Sequence, residues 1–597
     1  MAEQKDEEGG REPSGSASNV NGENHKAPTA TSNSEPESIS TVFKNIKSSK
    51  AAARITSFLK NKYNLVFLVV LFLAFLIRLK YIGQESIWND SAVHLWNAIK
   101  VTHDPLFVFT REYLLGDYTT VQTLMAFVYL FTHRILFSAQ IVAMSYALIG
   151  IIFMYLLGTE LRSKFTGLMA ATLLAFNHLF WFYSVRPLGD SPLLVTTIIL
   201  LYCMVKLEKE KTLRWGIMSG SMFLIAMFTK VQSSLYVFAL VIYLLLFKRK
   251  ELFKNKAIMV SWLIPVGSVL LAQVIGTLVF KTGIVDRIFS LFLDLRGMPF
   301  GFEAAGMLQW IFSWYLLPFV LLGIILVIIY KEKNYYFGLV LFAFYYLFFE
   351  INVDNTQDRY VLPLFPIAIL FAVFAFEEIG IYLSMFTHKF AKPLLVIFVV
   401  LFISWNYYQI GDSLNYNKSF SYLGYQEAGQ WLKENVPAGD PVFAGEYRSI
   451  RAFSERDYGG PVGEDFGGNV INLRSPYRYS TEGAKPPEEE RKNFEDDVAA
   501  ISPNRDVYLE IDIWEYAQPT WYWFPQKGLT QESLNYFVSL GFTPVKIIER
   551  EVLTKDGPKR TPVIFILRKD RTGTNGNSSL TQPEITNENK WRQKFLK

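Results

Sequence analysis

The sequence predicts a polytopic α-helical membrane protein with a C-terminal soluble α/β domain. Long apolar runs recur from residue 62 to about 410. The polar links between them alternate, every second one being basic. Beyond about 410 the composition changes, and short apolar segments are separated by turn residues. Hydrophobic residues make up 51% of the chain although both ends are polar, so the middle is more apolar than that average.

Residues 1–40, rich in Ser, Glu, Asn, Gly and Pro, have no apolar pattern and are expected to be a disordered cytoplasmic tail. Segment 41–61 carries Lys44, Lys47, Lys50, Arg54 and Lys60. A basic run before a span marks the inner side and suits anionic headgroups. No cleavable signal peptide is visible, so the first apolar run acts as a signal anchor. A helix rises about 1.5 Å per residue and a span takes roughly 20 residues; segment 62–82 just suffices. It opens into an outer loop, 84–137, in which Val121 to Phe131 is too short to cross and is expected to lie in the interface.

Further runs at 138–158, 166–185, 190–207, 214–229, 233–247, 257–280, 308–330, 335–351, 360–378 and 391–409 bring the expected count to about eleven spans. Under that count Arg162/Lys164, Lys206 to Arg214, Lys248 to Lys256, Lys331/Lys333 and Lys389/Lys392 all fall inside. The positive-inside rule then places the N-terminus in the cytoplasm and the C-terminal domain outside, in a cell (plasma) membrane protein.

The transmembrane domain is thus 62–410 and the outer domain 411–570, with a disordered tail at 571–597. In the outer domain, Gly424 to Glu434 has a helical pattern. Val507 to Trp514, Val545 to Val552 and Pro562 to Leu567 look like strands, the last two joined by a turn at Lys555 to Arg560. Cys203 is the single cysteine, so no intrachain disulfide forms. Asn417-Lys-Ser and Asn577-Ser-Ser match the glycosylation sequon. Net charge is only +5, and no nucleic-acid partner is expected.

Charge at the outer interface is where chemistry is expected. Asp90, just after the first span, is either the N-cap of a helix beginning at Ser91 or a general base for a hydroxyl. His94 lies one turn on and is suited to orient a sugar or to bond a backbone carbonyl. Arg186 and Asp190 sit in a short outer link at membrane depth, where charge is costly unless paired or functional. They either pair with each other or share a cavity with Asp90. Lys230 is a snorkelling lysine or a ligand for an anion. Arg359 at the head of the next-to-last span is a helix-end anchor or a partner for a lipid phosphate. A transporter would place such charges near the midplane. Here they cluster at one interface, which favours chemistry on a lipid-linked substrate.

Leu76-Ile-Arg78-Leu, followed by Ile87-Trp-Asn-Asp90-Ser-Ala-Val-His94, resembles the first span and acidic loop of GT-C superfamily glycosyltransferases. The nearest branch is that of protein O-mannosyltransferases and lipid A aminoarabinose transferases. Gly116-Asp-Tyr118-Thr-Thr, Ser184-Val-Arg186-Pro-Leu-Gly-Asp190, Phe228-Thr-Lys230, Arg359-Tyr360-Val-Leu-Pro-Leu-Phe-Pro366 and Gly424 to Asp440 are similar to later stretches of that pattern, covering about 60–570.

The resemblance implies transfer of a sugar from a polyprenyl- or dolichyl-phosphate to a protein, lipid or glycan acceptor, with inversion. It implies Asp90 as catalytic base, and His94, Tyr118, Arg186, Asp190, Lys230, Arg359 and Tyr360 as substrate-binding residues. The chain departs from the pattern in two places. Ser91 stands where a second acid is common, and Thr119-Thr120 replaces a proline pair. No cofactor is expected, since no His/Asp/Glu cluster suggests a metal. An oligosaccharyltransferase-like enzyme, or a transporter or scaffold with a glycan-binding outer domain, are the alternatives.

Overall fold

The computed structural model describes residues 58–87, 89–110, 119–281, 303–352, 357–386, 391–456, 470–473, 487–514, 523 and 529–572. Tyr118, the N-terminal tail, residues 573–597 and all but the end of the basic segment lie outside the described residues. The chain divides into Met1–Asn61 and Lys62–Lys597. Of the first unit, residues 58–61 close a turn in which the Asn61 amide donates to the Phe58 carbonyl at 3.2 Å.

The second unit opens with α1 (Lys62–Leu79), then α2 (Asn89–His103) and α3 (Thr119–Thr132) in the expected outer loop. Next come α4 (Ile135–Leu161), α5 (Lys164–Phe176), α6 (His178–Tyr183), α7 (Asp190–Glu210), α8 (Leu213–Thr229) and α9 (Ser234–Phe247). Then follow α10 (Lys256–Phe280), α11 (Glu303–Ile329), α12 (Tyr336–Asn352), α13 (Asp358–Val361), α14 (Phe365–Phe386) and α15 (Ala391–Lys418). Eight described helices are long and apolar enough to cross a membrane. The other three runs expected to span are helical but short. Run 166–185 is split into α5 and α6 because the Asn177 side chain accepts from the Phe180 amide and starts a new helix. Runs 214–229 and 233–247 are α8 and α9.

Burial separates central from peripheral helices. In the apolar 18-residue stretch of Asp358–Phe386, 94% of the residues are buried, and 83% in that of Asp190–Glu210, against 17% in that of Lys256–Val279. The first two form the centre, and the last is left to face lipid. Close crossings hold the centre together. A Cβ on Gly323 of α11 would lie 2.0 Å from the Phe371 carbonyl oxygen of α14, so only glycine fits there. The two central segments begin with Asp190 and with Asp358-Arg359-Tyr360, so the expected site residues sit at their N-terminal ends.

The C-terminal part holds α16 (Tyr425–Asn435), β1 (Val442–Ala444), α17 (Tyr447–Ser454), β2 (Val470–Asn472), α18 (Pro487–Ile501), β3 (Val507–Asp512), α19 (Gln531–Ser539), β4 (Thr543–Thr554) and β5 (Gly557–Lys569). The sheet order is β2-β1-β3-β5-β4. β1 is parallel to β2 and β3, and the β3-β5 and β5-β4 pairs are antiparallel. One core packs Phe443, Phe494, Trp523, Phe537 and Phe542 together. The other joins Tyr425, Leu432, Ile450 and Ile564 to Leu95 and Trp96 of α2 and to Val121 and Met125 of α3. Helices α2 and α3 therefore share a hydrophobic core with the C-terminal domain, and burial of that apolar surface holds them to it. Glu85 adds a polar clasp. Its carboxylate accepts from the amides of Gly424 and Gln426 at 2.8 and 2.5 Å, closing the N-terminus of α16.

Candidate active site

Asp90 lies in the first turn of α2, where α2, α13 and α17 meet. Arg359 of α13 donates through Nη1 to Asp90 Oδ2 at 2.8 Å, and Arg448 Nη1 of α17 stands 3.8 Å from Oδ1. The two carboxylate oxygens are thus divided between a guanidinium from a central span and one from the C-terminal domain. Burial pushes the Asp90 carboxyl up. The charge and hydrogen bond of Arg359, then His94 and Arg448, outweigh it and hold the group below the ordinary carboxylate value. Asp90 is therefore ionised at neutral pH.

Arg359 is fixed from several directions. Its Nε donates to Gln357 Oε1 at 2.7 Å, and its amide to Asp358 Oδ1 at 2.7 Å. The same Asp358 oxygen accepts from the Tyr183 hydroxyl at 2.7 Å.

A second ion pair lies beside the first. Lys230, between α8 and α9, donates from Nζ to Asp190 Oδ1 at 2.5 Å, and both side chains are buried. Asp190 opens α7, where the helix end favours an anion. Its Oδ2 is buried with no hydrogen-bond partner among the described residues. Tyr360 links the pairs: its ring centroid is 5.3 Å from the Lys230 ammonium and 5.4 Å from the Arg359 guanidinium. The Tyr345 hydroxyl donates to the Tyr360 carbonyl at 2.9 Å and holds that residue in place.

His94 faces both pairs. Burial pushes its imidazole down to about 4; Asp90 and Asp190 oppose the shift, and Lys230 and Arg359 reinforce it. The ring is neutral at physiological pH. Its Nδ1 is 2.9 Å from Gln122 Nε2 of α3, which suits an amide donating to an unprotonated nitrogen.

Arg186 keeps different company. Its guanidinium lies 3.7 Å from the Phe182 ring centroid, donates to the Phe182 carbonyl, and bonds Asn415 Oδ1 of α15 at 2.8 Å. It does not pair with Asp190. A turn at 184–189 separates the two and directs Arg186 towards the last span. Tyr118 is outside the described residues.

The structure thus brings together Asp90, His94, Asp190, Lys230, Arg359 and Tyr360 from four separated segments. It adds Arg448, Gln122 and the Tyr183–Asp358 pair, which sequence reasoning did not single out. Asp358 adjoins Arg359 and could have been found by adjacency. Nothing local marks Arg448. Among the described residues no group of three His, Cys, Asp or Glu side chains is placed to hold a metal ion. A partly exposed carboxylate beside fixed cations can accept a proton from a hydroxyl while the cations bind an oxyanion.

A family model described as dolichyl-phosphate-mannose-protein mannosyltransferase matches residues 121–275, which include Asp190 and Lys230. No curated protein matches significantly. Among solved structures, the chain is similar to ArnT from Cupriavidus metallidurans in the apo state. They share 11% identity and a TM-score of 0.52, over 89% of this chain and 100% of that one. ArnT bound to undecaprenyl phosphate gives 11% and 0.54, over 86% and 99%. The archaeal oligosaccharyltransferase AglB from Archaeoglobus fulgidus, in complex with an inhibitory peptide and a dolichol-phosphate, gives 12% and 0.50, over 85% and 74%.

At such identities the structural likeness is one of fold. With the family match it shows the resemblance to GT-C glycosyltransferases of the ArnT and protein mannosyltransferase branch. The molecule is a multi-pass, mostly helical membrane protein with a small C-terminal sheet.

Proposed function

We propose that this chain transfers a sugar from a polyprenyl- or dolichyl-phosphate to an acceptor hydroxyl at the membrane face that carries α2 and the C-terminal domain. One observation carries the reading. Two carboxylates, Asp90 and Asp190, are each held by a cation at the heads of two central helices, and Tyr360 lies between the pairs. The undecaprenyl phosphate in one similar structure and the dolichol-phosphate in another support a lipid-phosphate donor.

In this mechanism Asp90 takes the proton of the acceptor hydroxyl as its oxygen attacks the anomeric carbon. The carbon–oxygen bond to phosphate breaks on the opposite face, giving inversion, and the electron pair leaves on the phosphate. Arg359 and Lys230 offset that developing charge. Asp190 Oδ2 is suited to accept a hydrogen bond from a sugar hydroxyl. Neutral His94 fixes the face of α2 that meets the sugar. The positive-inside pattern supports an extracytoplasmic site in a plasma membrane protein spanning about eleven times.

The test is incubation of purified protein with a panel of polyprenyl-phosphate sugars, scored by release of polyprenyl phosphate. Asp90→Asn should reduce release by about 10²–10⁴-fold, with membrane expression unchanged. Normal transfer by that variant would remove Asp90 from the mechanism. The likeness to AglB favours a second reading, transfer of a whole oligosaccharide; activity confined to lipid-linked oligosaccharides would select it.

A further inference from the structure

Asp90 carries two guanidiniums, and they are not equivalent. The Arg359 side chain is 8% exposed and fixed through Nε to Gln357. The Arg448 side chain is 38% exposed, and its Nη1 stands 3.8 Å from Asp90. Its other contacts are with its neighbour: Nε donates to the Tyr447 hydroxyl at 3.1 Å, and the guanidinium lies 5.6 Å from that ring centroid. The backbone beneath it is anchored. Glu446 accepts from the Ser449 amide at 3.3 Å to cap α17. Three residues on, the Arg451 guanidinium lies 4.5 Å from the Trp96 ring of α2. Residues three apart share a helix face, so α17 is pinned to α2 while Arg448 keeps an open reach over Asp90.

A carboxylate shared by two guanidiniums is a weak base, because each stabilises its charged form. The base would be strengthened by an anion that draws one of them away. Arg448 is the one free to move, and its planar fork matches phosphate oxygens.

We propose that Arg448, from the C-terminal domain, binds the phosphate of the lipid-linked donor by exchanging its contact with Asp90 for the phosphate oxygens, so that donor binding releases the base. This rests on the transferase reading and deepens it. In the reacting complex the acceptor proton passes to Asp90 and the acceptor oxygen bonds to the anomeric carbon. The bond from that carbon to the phosphate oxygen breaks, and the electron pair stays on the oxygen held by Arg448. When the lipid phosphate leaves, Arg448 returns to Asp90. The titratable groups facing Asp90 are the charged Arg359 from α13 and Arg448 from α17 and the neutral His94 on its own helix, with Glu446 beside Arg448.

Two measurements on the purified full chain test this: binding of polyprenyl phosphate, and the pH profile of kcat/KM with a transferable donor. Arg448→Ala should weaken polyprenyl phosphate binding by about ten- to a hundredfold, as loss of one charge-assisted contact implies. Losing the cation also lifts the Asp90 pKa in the free enzyme, so the acid limb should move to higher pH. Arg448→Lys should restore part of both, since it keeps the charge without the fork. Unchanged binding with an unmoved acid limb overturns the proposal and leaves Arg448 a domain staple. If the unaltered protein transfers no sugar from any lipid donor, yet Arg448→Ala still weakens polyprenyl phosphate binding, the transferase reading falls and the phosphate assignment stands.

Discussion

Replacing Lys230 with Met removes the partner of Asp190, and the structure sets the size of the effect. The two side chains are 5% and 0% exposed, with 2.5 Å between Nζ and Oδ1. Water cannot reach the carboxylate to replace the ammonium. Breaking a buried pair by deleting one member costs about 3–5 kcal/mol, largely because a bare charge is left behind. The dipole of α7 offsets some of this, by about 0.3–1 kcal/mol, since Asp190 stands in its first turn, and the nearby Arg359 charge, which also interacts with Asp190, offsets a further part. Lys230→Met should therefore destabilise the fold by roughly 3 kcal/mol. The double variant Lys230→Met with Asp190→Leu removes both charges and should cost about 2 kcal/mol less than the two single changes added together. The assay is reversible unfolding of the purified chain in mixed micelles, titrated with SDS and followed by circular dichroism. A cost below about 1 kcal/mol for Lys230→Met, or strict additivity in the cycle, would refute the reasoning that this pair is desolvated and coupled.

Two further outcomes follow from groups near the same face. Buried His94 has its pKa lowered from 6.5 to about 4, so between those values the unfolded chain binds the extra proton. Stability should be fully present above about pH 6.5 and fall as pH drops towards 4. His94→Gln should flatten that limb in the same unfolding titration. Glu85→Ala leaves the Gly424 and Gln426 amides without their carboxylate, at a cost of about 1.5–3 kcal/mol, and should speed proteolysis of the C-terminal domain while α1 to α15 stay resistant.

The spans are legible because hydropathy and alternate basic links act over some 20 residues at a time. The helix over Val121 to Phe131 is legible for the same reason: an apolar run that is too short to cross still has to be covered. Run 166–185 misleads because averaging over apolarity does not see one side chain, Asn177, capping a new helix inside it. The β4–β5 hairpin follows from its two apolar segments and the turn residues between them, although Gly557 to Arg560, expected in the turn, pair as strand, whereas β1 and β2, at three residues each, are too short to show a period. At the candidate site, residue type and membrane side nominated Asp90, Lys230 and Arg359. The partner of each charge depends on how the helix ends meet, which no local pattern carries. Arg186 and Asp190 lie four residues apart and serve different neighbours. Arg448 comes from a polar stretch whose reach to Asp90 exists only because α17 packs on α2.

The separation in sequence of the groups around Asp90 has a consequence for biosynthesis. Asp90 meets Arg359 across 269 residues, and Arg448 is made later still. A ribosome feeding this chain into a membrane therefore delivers Asp90 long before either guanidinium exists to stabilise it. The nascent protein acquires its spans first and its complete carboxylate clamp almost last. A chain terminated between α15 and α17 would keep every apolar helix yet lack Arg448. Such a product should insert with the Arg359 half of the clamp and without the Arg448 half, so the order of translation itself separates a membrane-inserted chain from a finished one.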